Sequence, residues 1–308
     1  MPTSPRDPLR GRVAVVTGAG RGLGRSHALL LASLGAAIVV NDPGAAGDGD
    51  GGGDSRPADA VVAEIKAAGG RAVANLESCA TWPGAEGLVT QAVETFGSLD
   101  IVVNNAGILR DRMSFSMSEQ EWDAVMDVNL KGHFAVSRFA AAHWRDRAKR
   151  GEQVYGRIVN TTSEAGLLGL TGQVNYVTAK AGVGALTIAM ARELGKYGVT
   201  VNAIAPRART RMTASATRRT SVASDAFDDR APENVSPVVG WLAGPDAAHI
   251  TGQIFHVYGS TVSVLGGWRV ERTIDARDRS WTVGELSEQA RSLFPEWAST
   301  LPAGLGGN

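Results

Sequence analysis

Short runs of apolar, mostly β-branched residues alternate with helix-length segments from residue 13 to about residue 258. Runs that are apolar on both faces and separated by helices are typical of a parallel sheet that helices cover on both sides. The pattern therefore predicts an α/β chain with a doubly wound parallel sheet of about seven strands. The predicted strands are 13–16, 38–40, 72–73, 101–103, 158–159, 199–204 and 254–257, and the predicted helices are 23–34, 58–68, 85–96, 119–147 and 174–196.

We predict that residues 10–267, which contain this alternation, form a single Rossmann-type domain, and that residues 268–308 are a C-terminal extension. Two stretches inside the domain interrupt the alternation. Residues 43–57 are rich in Gly and Asp and are too polar to pack a core, so they predict a long flexible insertion. Residues 207–230 are rich in Arg, Ser and Thr and follow the sixth strand, which makes them a candidate lid.

The C-terminal extension carries one helix signal. Thr282 and Glu285 have the spacing of a capping box, and Leu286, Ala290 and Leu293 would then share one face of the helix. We expect this amphipathic helix to dock on this subunit or on a neighbouring one.

Charge and cysteine content exclude several classes of protein. The chain has 31 Lys and Arg residues and 31 Asp and Glu residues, so its formal net charge of zero gives no reason to expect nucleic acid or an anionic membrane as a partner.

Cys79 is the single cysteine and cannot close an intramolecular disulfide, which fits a reducing compartment. No secretory signal and no apolar stretch of the roughly 18 residues that a membrane span needs is found. We therefore expect a cytoplasmic protein, and no metal site because the five histidines lack ligand spacing.

A glycine-rich turn follows the first predicted strand directly and opens a helix. It has the sequence Thr-Gly-Ala-Gly-Arg-Gly-Leu-Gly over residues 17–24. Glycines at this place let the chain turn sharply and bring backbone N–H groups and a helix N-terminus against a pyrophosphate. The turn predicts a dinucleotide site that includes Gly18, Arg21, Gly22 and Leu23, with a tight turn that binds nothing as the alternative.

Asp42 stands at the end of the second predicted strand. A carboxylate there accepts hydrogen bonds from a ribose 2′-hydroxyl and repels a 2′-phosphate, so it favours NAD over NADP. Arg21 favours NADP instead, because a cation in the turn could pair with a 2′-phosphate. We predict NAD, and a helix cap or a solvated loop acid is the alternative interpretation of Asp42.

Ser163, Tyr176 and Lys180 form the most chemically informative set. Tyr176 and Lys180 are four residues apart on a predicted helix and therefore point the same way. A lysine ammonium near a phenol favours the phenolate and lowers the tyrosine pKa, as a general acid or base needs. Ser163, at the end of the fifth strand, could hold a substrate oxygen by a hydrogen bond. Because Tyr-x-x-x-Lys also occurs on helices by chance, the pair is informative only in this context.

Four motifs in this order resemble those of the short-chain dehydrogenases and reductases. They are the glycine-rich turn, Asn-Asn-Ala-Gly at residues 104–107, Ser163, and Tyr176 with Lys180, the serine standing thirteen residues before the tyrosine. The resemblance covers residues 10–267. It implies hydride transfer between a nicotinamide and a carbonyl or alcohol carbon, and a homotetramer or homodimer built on the two long helices.

The resemblance also extends the candidate site. Asn129 matches the family's fourth catalytic residue, which orders a water that links the lysine to solvent. Glu77 falls where the family usually has an Asp that contacts adenine. The catalytic residues that the resemblance implies are Asn129, Ser163, Tyr176 and Lys180. Together with the turn and Asp42, the residues expected to contact the cofactor are Gly18, Arg21, Gly22, Leu23, Asp42, Glu77, Ser78, Asn105, Ala106, Gly107, Tyr176, Lys180, Pro206 and Thr210.

A narrower group within the family is similar over more of the chain. Segments 40–42, 70–75, 106–112 and 205–213, with 267–273 beyond the usual family end, resemble the (3R)-hydroxyacyl-CoA dehydrogenase unit that is also called 17β-hydroxysteroid dehydrogenase type 4. This resemblance implies a 3-hydroxyacyl-CoA or a steroid-type apolar alcohol as substrate. The arginines of the candidate lid would then pair with the phosphates of coenzyme A, and a solvated charged face is the alternative.

Other functions stay open at this stage. A 3-oxoacyl-carrier-protein reductase is disfavoured by Asp42, because such enzymes usually take NADPH. A non-catalytic NAD-binding regulator on the same fold is opposed by the complete set of four candidate catalytic residues. Leu167, Leu168 and Leu170 indicate an apolar pocket wall, which fits an acyl chain and a steroid equally.

Overall fold

The computed structural model describes residues 7–44, 56–209, 227–267 and 270–293. The strands, in chain order, are β1 (Val13–Thr17), β2 (Ala37–Asn41), β3 (Arg71–Asn75), β4 (Ile101–Asn104), β5 (Gly156–Thr161), β6 (Val199–Arg207), β7 (Ile254–Tyr258) and β8 (Thr261–Leu265). The α-helices are α1 (Gly22–Ser33), α2 (Arg56–Ala67), α3 (Trp82–Phe96), α4 (Glu119–Met126), α5 (Gly132–Lys149), α6 (Ala165–Leu168), α7 (Val174–Leu194), α8 (Ser236–Ala243) and α9 (Val283–Leu293).

The strands form one sheet in the order β3-β2-β1-β4-β5-β6-β7-β8. The pairings that join β3 through to β7 are all parallel. The strand order reverses between β1 and β4, and doubly wound sheets bind ligands outside the carboxyl ends of the strands at such a switch point. The predicted α/β, doubly wound parallel sheet is confirmed.

The described sheet has eight strands, against about seven predicted, and the additional strand is β8 at the sheet edge. It follows β7 after only two residues, too few for the crossover that a parallel strand needs, so it returns antiparallel to β7. The side chains of Val262 and Val264 are exposed. Because β8 has no buried face, it lacks the apolar run that marks the other strands.

Helices cover both faces of the sheet, since alternate residues of a strand point in opposite directions. In β1, Ala14 and Val16 join the core cluster that includes α1, α2 and α8. Val13 and Val15 join the cluster that includes α3, α5 and α7. All four side chains are buried. Burial on both faces accounts for the continuous apolar runs of the sequence.

The helix predicted over 119–147 is interrupted. The structure has α4, then a π-helical turn over Asp127–Lys131, and then α5. A π turn widens the helix locally, and such turns occur frequently at functional sites. Asn129 lies in this turn and is fully buried. The helical periodicity of the sequence continues through the turn, so periodicity alone predicts a single helix.

The predicted insertion at 43–57 is described only at its ends, which include the first residues of α2. Its central residues, 45–55, lie outside the described residues, as do residues 210–226 of the candidate lid.

The two ends of the 207–230 stretch are held together. The Arg209 N–H donates to the Arg230 carbonyl oxygen at 2.7 Å. The Arg209 guanidinium also pairs with both carboxylate oxygens of Asp228, at 2.8 and 3.1 Å. These contacts form a closed neck, defined by residues 209, 228 and 230, from which residues 210–226 begin and end.

The chain divides into two compact units, residues 1–264 and residues 265–308. The second unit contains α9, which begins directly after Thr282, at the predicted capping box. The Glu285 N–H donates to Thr282 Oγ1 at 3.3 Å, and the Thr282 N–H donates to the Glu285 carboxylate at 2.9 Å. No residue of α9 is buried. The docking expected of this helix stays a prediction.

Candidate active site

The glycine-rich turn and the Asn-Asn-Ala-Gly segment meet at the carboxyl ends of β1 and β4. Thr17 Oγ1 accepts hydrogen bonds from the main-chain N–H groups of Asn105 and Ala106, at 3.0 and 3.1 Å. The Asn105 side chain donates in return to the carbonyl oxygens of Thr17 and Gly18, at 3.0 and 3.2 Å. These bonds fix the two motifs to each other at the switch point. The role of Thr17 was not predicted from the sequence, although a hydroxyl residue directly before the glycine-rich turn could have indicated it.

Close approaches require glycine at two positions of the turn. Gly18 has a φ of +63°, and a Cβ on it would lie 2.9 Å from the Cα of Ala106. A Cβ on Gly24 would lie 2.2 Å from the Gly18 carbonyl oxygen. Side chains at these positions would therefore force the turn apart.

The N-terminus of α1 is suited to an anion. Arg21 is its N-cap residue, and it provides no side-chain cap. The first-turn N–H groups, which include those of Gly22 and Leu23, have no intrahelical acceptors, and the helix dipole adds partial positive charge there. The tight turn and these uncapped donors fit the pyrophosphate of a dinucleotide.

Asp42 lies beside the turn, directly after β2. Its Oδ2 accepts from the Gly20 N–H at 2.9 Å, and its Oδ1 accepts from the Gly44 N–H at 2.8 Å. Asp42 is not a helix cap, because α2 begins only at Arg56. Two main-chain donors thus orient its carboxylate next to the turn.

Glu77 and Ser78 follow β3. The Glu77 N–H donates to Asn75 Oδ1 at 3.0 Å, and its carbonyl oxygen accepts from Asn41 Nδ2 at 2.8 Å. The Glu77 side chain lies along α3, with Oε2 2.8 Å from the position of a Cβ on Gly87. Ser78 Oγ accepts from a main-chain N–H two residues further on, at 3.3 Å. The adenine-side contacts expected of Glu77 and Ser78 stay predictions.

Asn129 and Lys180 lie behind the Asn-Asn-Ala-Gly segment, and both are buried. Asn129 Oδ1 accepts from the Ile108 N–H at 2.8 Å, and its Nδ2 donates to the Ile108 carbonyl oxygen at 3.0 Å. Lys180 Nζ donates to the Thr161 carbonyl oxygen at 2.7 Å. A Cβ on Gly107 would lie 3.4 Å from Asn129 Oδ1 and 3.7 Å from Lys180 Nζ, so Gly107 is next to both side chains.

Tyr176 lies one helical turn before Lys180, and the Ser163 side chain lies close to its hydroxyl. Lys180 Nζ is 5.7 Å from the centroid of the Tyr176 ring. Burial raises the pKa of Tyr176, and the hydrogen bond with Ser163 lowers it. Burial also lowers the pKa of Lys180 to about 7. The sequence predicts a Tyr176 pKa lowered by Lys180, whereas burial is the larger influence here and acts in the opposite direction.

Asn175, directly before Tyr176, is a buried polar residue that sequence reasoning misses. Its Nδ2 donates to the carbonyl oxygens of Arg110 and Glu121, and its Oδ1 accepts from the Tyr176 N–H. An amide residue at a helix position that faces the core is the sequence feature that could have indicated the role of Asn175.

Pro206 lies near the end of β6, paired with β7. In the next residue, Arg207, the guanidinium Nε is 3.7 Å from a carboxylate oxygen of Glu164. Glu164 directly follows Ser163, so this ion pair lies beside the candidate catalytic serine. Thr210, which was expected to contact the cofactor, lies outside the described residues.

Exposed apolar side chains surround the segment before α7. The Arg112 N–H donates to the Gly172 carbonyl oxygen at 2.7 Å, which brings residues 110–113 alongside that segment. Of the three leucines predicted to form an apolar wall, Leu167 and Leu170 are exposed. The apolar rim is defined by Met113, Phe115, Leu167, Leu170 and Val174.

Among the residues that the structure describes, no group of three or more His, Cys, Asp or Glu side chains is placed to hold a metal ion. Across those same stretches, no helix is both long enough and apolar enough to cross a membrane. The expectation of a metal-free protein stays a prediction.

Comparison with known proteins gives consistent matches. A family model described as short chain dehydrogenase matches residues 12–221. The chain is 49% identical over 289 residues to the hydroxyacyl-CoA dehydrogenase ChsB1 of Mycobacterium tuberculosis, a match that covers 93% of this chain and 89% of that protein. It is 44% identical over 271 residues to the peroxisomal multifunctional enzyme type 2 of Mus musculus, which covers 87% of this chain but 34% of the longer enzyme.

A solved structure is similar over nearly the whole length of both chains. The crystal structure of a short chain dehydrogenase from Mycobacterium avium has 50% sequence identity and a TM-score of 0.81, and the match covers 92% of this chain and 95% of that one.

Proposed function

Because the chain belongs to the short-chain dehydrogenase family, whose members are oxidoreductases that act on CH–OH groups with a nicotinamide cofactor, we propose that it oxidises a 3-hydroxyacyl-CoA thioester with NAD. The observation that carries the proposal is the meeting of Tyr176, Ser163 and Lys180 next to a dinucleotide turn at the switch point of the sheet. A steroid-type apolar alcohol is the second substrate class.

The proposed reaction needs a group that takes the hydroxyl proton. Tyr176, as the phenolate, takes this proton during oxidation, and Ser163 holds the hydroxyl oxygen by a hydrogen bond. In the reverse direction Tyr176 returns the proton to the carbonyl oxygen. The nicotinamide, when bound, accepts or supplies the hydride of the carbinol carbon.

Lys180 and Asn129 support the tyrosine in this proposal. We assign to a charged Lys180, whose Nζ is 5.7 Å from the ring centroid, the electrostatic stabilisation of the phenolate. Asn129 holds the main chain of Ile108 by two hydrogen bonds. We assign to it the ordering of the path through which Lys180 exchanges protons with solvent.

Asp42 supports NAD as the cofactor. Its carboxylate is oriented by the N–H groups of Gly20 and Gly44 at the end of β2. A fixed negative charge there accepts from a ribose 2′-hydroxyl and opposes a 2′-phosphate. The same charge disfavours a 3-oxoacyl-carrier-protein reductase that uses NADPH.

The apolar rim supports a substrate with a large apolar group. A thioester is favoured over a steroid because a relative with 49% identity is named as a hydroxyacyl-CoA dehydrogenase. The exposed Arg209 is already paired with Asp228, and Arg207 lies near Glu164. Pairing of lid arginines with coenzyme A phosphates therefore rests on Arg230 and on Arg211, Arg218 and Arg219, the last three of which lie outside the described residues.

We further propose that the protein acts in the cytoplasm as a homotetramer or homodimer. The two long helices, α5 and α7, are the expected contact surfaces. On α5, the side chain of Phe134 is exposed, which supports a contact there.

A direct assay tests the proposed function. Purified protein receives NAD or NADP with either a (3R)-hydroxyacyl-CoA or a 17β-hydroxysteroid, and the formation of reduced cofactor is followed. We expect turnover of the thioester with NAD. The Tyr176→Phe variant should lose turnover and keep its cofactor affinity, whereas Tyr197→Phe, just after α7, is a matched control that should keep both.

The outcomes separate the parts of the proposal. Turnover that persists in Tyr176→Phe would overturn the assignment of the general base. Turnover of the steroid alone would overturn the thioester as substrate, and reduction of a 3-oxoacyl carrier protein with NADPH alone would favour the reductase.

A further inference from the structure

Asn175 holds the start of the helix that carries Tyr176. It is the second residue of α7 and is fully buried. Its Nδ2 donates to the carbonyl oxygens of Arg110 and Glu121, each at 3.0 Å. Its Oδ1 accepts from the Tyr176 N–H at 2.8 Å. A single amide group thus uses both of its donors and its acceptor on main-chain atoms.

These three bonds join segments that carry different parts of the candidate site. Arg110 closely follows the Asn-Asn-Ala-Gly segment. Glu121 lies in α4, which leads into the π turn that contains Asn129. Asn175 therefore ties the tyrosine to both of the segments that hold Asn129.

The first turn of α7 depends on this side chain. Gln173 is the N-cap residue and provides no side-chain cap, and its Nε2 instead donates to Asp111 Oδ2 at 2.9 Å. The N–H of Tyr176 is among those that a helix leaves without an intrahelical acceptor. Asn175 Oδ1 satisfies it, so the place of Tyr176 is set by a bond from its neighbour.

A small displacement of Tyr176 would have a chemical effect. Its hydrogen bond with Ser163 lowers the Tyr176 pKa, whereas burial and the charge of Asp111 raise it. Lys180 Nζ lies 5.7 Å from the ring centroid. Weakening the bond with Ser163 would leave the two raising influences less opposed.

We propose that Asn175 is a positioning residue that fixes Tyr176 relative to Ser163 through the first turn of α7. The inference rests on the proposed function, in which Tyr176 transfers the proton. Asn175 acts through Tyr176 and needs no contact with the substrate.

The kinetic test compares Asn175→Ala with Asn202→Ala. Asn202 is a matched buried amide in β6, where its Nδ2 donates to the Ile250 carbonyl oxygen at 2.8 Å and its Oδ1 accepts from the Gln253 N–H at 3.1 Å. Both variants should lower the thermal midpoint. Only Asn175→Ala should lower kcat, by about 10²-fold as expected for a misplaced reacting group, with KM and NADH affinity nearly unchanged.

A spectroscopic measurement needs no substrate. The ultraviolet absorption of the phenolate is titrated in the unmodified chain and in each asparagine variant, with and without Tyr176→Phe, and the difference gives the pKa of Tyr176. We expect this pKa to rise in Asn175→Ala and to stay unchanged in Asn202→Ala.

Two results would overturn the inference: an unchanged kcat with an unchanged Tyr176 pKa in Asn175→Ala, or equal effects in the two alanine variants. If Tyr176→Phe keeps its turnover, the proposed function fails, and the titration alone decides whether Asn175 positions Tyr176. If Asn175→Ala does not fold, Asn175→Ser, an uncharged side chain too short to keep the three bonds, is measured with the same expectations.

Discussion

The amino group of Lys180 is buried and donates to the Thr161 carbonyl oxygen, and burial lowers its pKa to about 7. Burying a charge is unfavourable unless other groups compensate for the lost water. The neighbouring His133 is also buried, and burial together with the Lys180 charge holds its pKa well below the ordinary value. A neutral His133 adds no second cation beside Lys180.

Asp42 gives a prediction on cofactor choice. In Asp42→Ala the carboxylate that opposes a 2′-phosphate is lost, so the preference for NAD over NADP should fall. Loss of one hydrogen bond to a charged group corresponds to roughly 1.5–3 kcal/mol, or about 10- to 100-fold in kcat/KM for NAD. Steady-state kinetics with both cofactors measures the ratio, and Asp59→Ala on the exposed face of α2 is the control. An unchanged ratio would contradict the role of Asp42.

The candidate residues differ in how far the sequence predicts them. The proximity of Ser163, Tyr176 and Lys180 was predictable because it follows from residue type and spacing along the chain, whereas their catalytic roles stay predictions. The contacts of Thr17 and Asn175 were not, since both side chains bind main-chain atoms from segments that only the fold brings near. Amide and hydroxyl groups that pair with main chain leave no characteristic spacing.

At the scale of elements, a buried hydrogen-bonded group joins α1 to α8. Ser236 Oγ lies 2.7 Å from Ser26 Oγ and 2.8 Å from His27 Nδ1. His27 is fully buried, and burial lowers its pKa from 6.5 to about 3. The helix of the dinucleotide turn is thereby tied to the helix that follows the closed neck.

This link predicts a loss of stability in acid. Between the folded pKa of His27, about 3, and its ordinary value of 6.5, the unfolded chain binds more protons than the folded chain. The free energy of unfolding should therefore fall as the pH drops through this range, by about 1.4 kcal/mol per pH unit for one histidine. Denaturant unfolding at a series of pH values measures the slope.

A matched pair of variants isolates the contribution of His27. His27→Asn, whose amide can keep the bond to Ser236, should flatten the slope, whereas His249→Asn at an exposed position should not. Equal slopes in the two variants would contradict the prediction. The buried His133 remains in both and contributes in the same direction.

The sequence predicts the buried strands closely, and β1 is found at Val13–Thr17 against a predicted 13–16. Burial on both faces produces the apolar runs by which such strands are recognised. The π turn at Asp127–Lys131 and the exposed edge strand β8 leave no such pattern. They depend on contacts with Ile108 and with the sheet edge, which the local sequence does not encode.

At the scale of the whole molecule, the C-terminal extension gives a further prediction. The docking expected of α9 predicts that a chain that ends at Gly267 has a thermal midpoint lower by a few degrees and an unchanged cofactor affinity. The exposed apolar side chains of Val283 and Leu286 are the surface that docking would cover. Thermal unfolding compares the two chains, and an unchanged midpoint would contradict the docking.

The overall architecture was predictable because one pattern repeats along most of the chain. Each β-strand and helix pair adds a strand to the sheet, and parallel connections follow one hand. The substrate was less predictable, because it depends on the shape that the segments beyond β5 and β6 give to the pocket. Among the described residues, the apolar rim indicates the chemical character of one wall only.

The closed neck at residues 209, 228 and 230 holds the two ends of the 207–230 stretch together. Because these contacts already hold residues 209 and 230 together, a change in the length of chain between them should cost the domain little stability, about 0.6 kcal/mol for each doubling. We therefore expect an exchange of residues 211–226 to leave the sheet, the glycine-rich turn and Tyr176 in place. Such an exchange would change residues proposed to contact the substrate and would keep the residues proposed to transfer the proton.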